Sequence, residues 1–210
     1  MKIGGYVIKV TTELPEKVKE GFNKIFSGIV GASYQPIAYL GNKLVNGTNH
    51  AILAEQTLIT GKDVKSVVLI VLNEKANEDG PSVFSLVEIK TYLSNGGTMG
   101  GVNISPMTDI PESALAEYNK HFAGFLGGYN KPFALLATQV VHGVAYYFAV
   151  ESTMFINQNE EKSVLSSGGD VASIQIVKVF SDFSEIESTE VIAGDKGNFL
   201  KASNAPIMWP

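Results

Sequence analysis

Gln139-Val140-Val141-His142-Gly143 gathers residue types suited to recognition: an amide that hydrogen-bonds in either direction, two aliphatic side chains, and a glycine free to take positive φ. On a tight turn these residues offer apolar area at little ordering cost, with the amide to orient it. Gly100-Gly101 precede them, and a glycine pair permits close backbone approach and unusual dihedrals. Patterns for bond-making chemistry are lacking. The histidines, His50, His121 and His142, show neither HExxH nor a two-histidine ligand spacing, and no phosphate-cradling glycine motif follows a strand. The chain has no cysteine, which removes disulfides, thiolate metal sites and a cysteine nucleophile. The expectation is a protein that is not an enzyme and uses no metal or cofactor.

The elements that hold these residues occur twice. Shifting the chain by 96 positions lays Gly5 on Gly101, Pro15 on Pro111, Gly31 on Gly127, Pro36 on Pro132, Val45 on Val141 and Gly47 on Gly143. Glu13-Leu14-Pro15 and Asp109-Ile110-Pro111 open helices. Val18, Phe22, Ile25, Phe26 and Ile29 recur at helical spacing in the first copy, and Ala114, Leu115, Tyr118, Phe122, Phe125 and Leu126 in the second. Gly31 and Gly127 are the expected helix ends. Asn46-Gly47 and His142-Gly143 then break long β-rich stretches into hairpins. Glu74–Pro81 reads as a solvated polar turn between strands, and Val83–Lys90 matches Val171–Lys178 at a shift of 88. Ser167-Gly168-Gly169-Asp170 reads as the corresponding second hairpin of copy two. Each copy is expected to be α+β, one helix packed on a four- to five-stranded antiparallel sheet. The boundaries read as 1–94 for the first domain, 95–98 for a linker, 99–194 for the second domain and 195–210 for a tail carrying Trp209.

A Gly-Gly ahead of a long helix, then a strand, then Gln-x-Val-x-Gly, resembles the cystatin superfamily, and the absence of disulfides resembles its stefin branch. The resemblance implies two tandem cystatin-like domains. It further implies a reversible inhibitor of papain-family cysteine proteases, which wedges a Gly-Gly trunk and the first hairpin into the protease cleft. Carried over, the protease-binding residues are Gly100, Gly101, Gln139, Val140, Val141, His142 and Gly143. The weaker equivalents in copy one are Gly4, Gly5, Lys43, Leu44, Val45, Asn46 and Gly47, with Lys43 where the signature has Gln. The Pro-Trp that the family often carries in a second hairpin is missing from both copies. The alternative is a non-inhibitory binding or structural module, since a hairpin signature can serve the fold alone.

Composition limits the other classes. A hydrophobic share of 45% supports a packed core, and a net charge of −5 disfavours a nucleic-acid partner. No apolar run reaches the ~18 residues of a membrane span, and the N-terminus lacks an apolar leader, so a cytoplasmic protein is expected, or a secreted one whose leader has been removed. The hairpin loops are also candidate hinges for a domain-swapped homodimer.

Overall fold

The computed structural model describes residues 5–59, 63–96, 101–123, 128–154, 171–182 and 186–194. Pro15 at φ −53° and Pro111 at φ −57° lead into α1 (Glu16–Phe26) and α2 (Glu112–Phe122), each with a glutamate in its first turn. The strands of the first half are β1 (Val7–Thr11), β2 (Ala32–Val45), β3 (Gly47–Ile59), β4 (Asp63–Asn77) and β5 (Gly80–Ser94). Those of the second are β6 (Val102–Met107), β7 (Gly128–Val141), β8 (Gly143–Met154), β9 (Val171–Phe180) and β10 (Ile186–Ala193). They form two antiparallel sheets, ordered β1-β2-β3-β4-β5 and β10-β9-β8-β7-β6.

This corrects the expected α+β class and its pair of helix-on-sheet, cystatin-like domains. Among the described residues the chain is mostly β, with two five-stranded sheets and two helices of 11 residues each. Its largest apolar core lies between the sheets. Ala38, Leu40, Leu53, Val67 and Leu69 of the first sheet share one buried cluster with Leu136, Tyr147, Ala149, Ile174 and Ile176 of the second. The alternate residues Ile52, Val68, Ile70 and Leu72 lie in a separate cluster with Val18, Phe22 and Phe26 of α1, and Leu135, Phe148, Val150 and Val177 in another with Ala114 and Tyr118 of α2. Successive strand residues point to opposite faces, so an unbroken buried run such as Val67–Leu72 needs cover on both. A short helix cannot supply both layers, and the second cover is the other sheet.

The sheets stack head to tail. The Tyr6 amide donates to Ala193 O at 3.1 Å, and Tyr6 forms a parallel bridge with Gly194. Gly194 N donates to Ala172 O, and Ala172 pairs with Thr153, at the end of β8 remote from Gly143. The β2–β3 turn of the first sheet therefore neighbours the far end of the second.

Local expectations fare unevenly. α1 stops at Phe26 with Ser27 as its cap, so Ile29 falls beyond the helix and is exposed, while Gly31, at φ 87°, enters β2. Gly127, Phe125 and Leu126 lie outside the described residues. The match of Val83–Lys90 to Val171–Lys178 is overturned by register. Leu53 pairs with Leu69, and Ala149, its counterpart, pairs with Ile176, which makes β9 the equivalent of β4 rather than of β5. The 88-residue match aligned aliphatic alternation common to any strand of this sheet.

Tyr118 is 1% exposed, and its hydroxyl has no hydrogen-bond partner among the described residues. Burial pushes the phenol well above its usual range. Tyr118→Phe keeps the ring stacked on Phe122, 4.4 Å between centroids, and removes an unsatisfied oxygen. It is expected to be neutral or to stabilise by about 1 kcal/mol in urea denaturation, where most buried truncations destabilise.

Candidate functional site

The second sheet assembles the expected turn at one end. Val141 pairs with Gly143 across β7 and β8, leaving the exposed His142 at the apex, and Gly143 takes φ 94° as the turn requires. Val140 is 80% exposed and Val141 39%, so the turn presents aliphatic surface to solvent. Val102 pairs with Gln139 in the β6–β7 ladder, which brings the exposed Gly101 alongside the strand that ends in this turn. Gly100 lies outside the described residues. Gln139 is half-buried, and its side-chain oxygen accepts a 2.8 Å hydrogen bond from the Tyr147 hydroxyl. That bond ties its side-chain oxygen to β8.

Two residues that sequence reasoning passed over complete this end. Ser181 N donates to Val144 O at 2.9 Å, and Val144 N donates to Ser181 Oγ at 3.0 Å, locking the end of β9 against the hairpin. The Asp182 carboxylate lies beside Gly143. The second chain reversal at this end thus follows β9. Ser167–Asp170 lies outside the described residues, between β8 and β9 in the chain. The signal for the correct assignment was the shared pattern of Val64-Lys65-Ser66-Val67 and Val171-Ala172-Ser173-Ile174, which marks β9 as the β4 equivalent.

The equivalent end of the first sheet has the same backbone and different surroundings. Val45 pairs with Gly47, Asn46 is at the exposed apex, and Gly47 takes φ 99°. Leu44, the counterpart of Val140, is 82% exposed, while Lys43 and Val45 are half-buried. Asn73 Nδ2 donates to Asn49 Oδ1 at 2.8 Å and to Asn46 O at 3.4 Å, bracing the turn from β4. Gly4 lies outside the described residues, and Gly5 leads directly into Tyr6, whose amide is committed to Ala193. A trunk here is tied to the second sheet.

The polar stretch Glu74–Pro81 is the solvated turn expected, exposed from Lys75 to Pro81 and reversing at Glu78-Asp79, except at its first residue, the half-buried Glu74. β4 runs on to Asn77, and Glu74 is held among His50, Ser82 and Lys17. A cleft of about 650 Å³ lies between the β1–α1 segment Lys9–Pro15 and Lys131, Phe133 and Glu151; none of the turn residues line it. Among the described residues no helix is long and apolar enough to cross a membrane, and no three His, Cys, Asp or Glu side chains are placed to hold a metal ion. No family model, curated protein or solved structure matches the chain.

Proposed function

We propose that the chain is a reversible inhibitor of papain-like cysteine proteases, docking mainly through the turn end of its second sheet. The observation that carries this reading is the outward display of Val140 and Val141 on a rigid glycine turn with Gly101 alongside. A preorganised aliphatic tip loses little entropy on entering a cleft, and it offers no flexible bond to a catalytic thiolate. The resemblance of the Gly-Gly, helix and Gln-x-Val-x-Gly order to cystatins supplies the target class. An intracellular setting belongs to the same proposal and rests on the cysteine-free sequence.

Titration of papain with the full chain tests it. Competitive, reversible inhibition is expected, and Val140→Asp should weaken it roughly 30-fold, the effect of losing a hot spot of about 2 kcal/mol. Absence of inhibition at roughly micromolar protein would end the proposal. One observation favours a second reading, a docking turn for a partner that is not inhibited. Gln139, the polar anchor of the signature, is already engaged by Tyr147. Under that reading a partner is still captured, Val140→Asp still releases it, and protease activity is untouched.

A further inference from the structure

The turn end of the first sheet contains a buried polar chain that the second sheet does not repeat. His50 on β3, 7% exposed, places Nε2 3.0 Å from Glu74 Oε2 and Nδ1 3.0 Å from the Tyr39 hydroxyl. Asn42 Nδ2 donates to that hydroxyl oxygen at 3.3 Å. Counted in the second copy, Tyr39, Asn42 and His50 become Leu135, Thr138 and Tyr146, and Glu74 becomes Ser181. The groups facing His50 come from every neighbouring element: Tyr39 and Asn42 on β2, Glu74 on β4 and the Phe84 ring on β5, 6.1 Å away. Ser82 of β5 and Lys17 of α1 reach Glu74 in turn, Lys17 at 3.9 Å.

With Nε2 carrying the only ring proton, the chain is complete in one direction. Asn42 donates to Tyr39, Tyr39 donates to Nδ1, and Nε2–H donates to Glu74. Protonation of Nδ1 makes that nitrogen a donor. The phenol oxygen would then face two donors, His50 Nδ1–H and Asn42 Nδ2–H, while its own proton needs an acceptor. Asn42 carries that acceptor, Oδ1, at the other end of the same amide. We propose that the Asn42–Tyr39–His50–Glu74 chain is a proton-operated switch, in which protonation of His50 reverses the hydrogen-bond direction through Tyr39 and turns over the Asn42 amide at the root of the β2–β3 hairpin.

The two flanking acids are fitted to hold still while this happens. The Ser82 hydrogen bond, the His50 bond and charge, and Lys17 hold the Glu74 carboxyl below its usual range against the opposing effect of burial. Burial and the Glu74 charge push the Tyr39 phenol up, against the Asn42 bond, so Tyr39 always has a proton to place. Asn42 pairs with Val7 on one side and with His50 on the other, and it stands two positions from the exposed Leu44. The switch therefore acts at the root of the hairpin that displays Leu44. It does not depend on what that hairpin binds.

The test is nitrogen-resolved NMR of the full chain, titrated from roughly pH 8 to pH 5, the span in which histidines change charge. At the alkaline end the His50 ring nitrogens should report the Nε2–H tautomer. On acidification the Asn42 side-chain amide should shift with the same midpoint as the His50 ring. In Tyr39→Phe, His50 should still titrate and Asn42 should no longer follow it. An Nδ1–H tautomer at high pH, a His50 that does not titrate, or an Asn42 amide indifferent to His50 each overturns the proposal. So does an Asn42 amide that still follows it in Tyr39→Phe. The tautomer and the shared midpoint are read on the unmodified chain, so they decide the matter even if Tyr39→Phe fails to fold.

Discussion

Leu53→Ala in the first sheet and Leu136→Ala in the second are each expected to lower the midpoint of one shared unfolding transition. Both side chains are fully buried, and both belong to the cluster between the sheets. Truncating such a leucine costs about 2–5 kcal/mol, transfer energy plus the cavity left behind. For a chain of this size that corresponds to a fall of roughly 4–20 °C in Tm. Calorimetry should show a single transition in the wild type and in both variants. The double variant should depart from additivity, since the two sites share one core. If the copies carried independent cores under their own helices, Leu53→Ala would shift one of two transitions and leave the other in place.

Gly47→Ala should rank among the most costly single-atom changes, and more costly than the same change at Gly143. Both glycines hold positive φ, 99° and 94°, which costs a side-chain-bearing residue roughly 1–3 kcal/mol. The obstacles differ. A Cβ at Gly47 would meet the Glu74 backbone carbonyl, which belongs to the β3–β4 ladder and cannot move without parting the strands. A Cβ at Gly143 would meet the Asp182 carboxylate, an exposed side chain able to rotate away, and Ser181 Oγ, which yields by giving up one side-chain hydrogen bond rather than a strand ladder. Overpacking against fixed backbone adds roughly 1–3 kcal/mol, giving roughly 2–6 kcal/mol at Gly47 and roughly 1–3 kcal/mol at Gly143. Urea denaturation of the two variants measures the difference. Equal costs would show that the β3–β4 ladder yields as easily as a surface carboxylate.

Much of the local grammar was readable in the residues. Pro15 and Pro111 precede helices whose buried faces include Val18, Phe22, Ala114 and Tyr118, at the spacing expected. Asn46-Gly47 and His142-Gly143 turn where an Asn-Gly or His-Gly pair suggests. The polar constellation at the first turn was not readable. His50 and Glu74 are 24 positions apart, and each alone resembles an ordinary surface residue. Only the β3–β4 register, with Thr48 opposite Glu74 and His50 opposite Leu72, brings them to one face. Ser181 and Asp182 were missed for a related reason. An alternating aliphatic strand matches any other, and the chain between β8 and β9 removed the constant spacing that had located the earlier elements.

By itself the sequence determined the duplication, the positions of the helices and first hairpins, and which residues occupy their turns. Those features depend on interactions within a few positions: a fixed proline φ, a helical stripe, a glycine at positive φ. The tertiary structure decided what covers the second face of each sheet, that the two turns lie at opposite ends, and that a histidine and a glutamate are bonded beneath the first. The buried runs Val67–Leu72 and Tyr147–Val150 announce that both faces need cover, but not its source. Apolar surface is non-directional, so a helix and a second sheet satisfy it alike until geometry chooses.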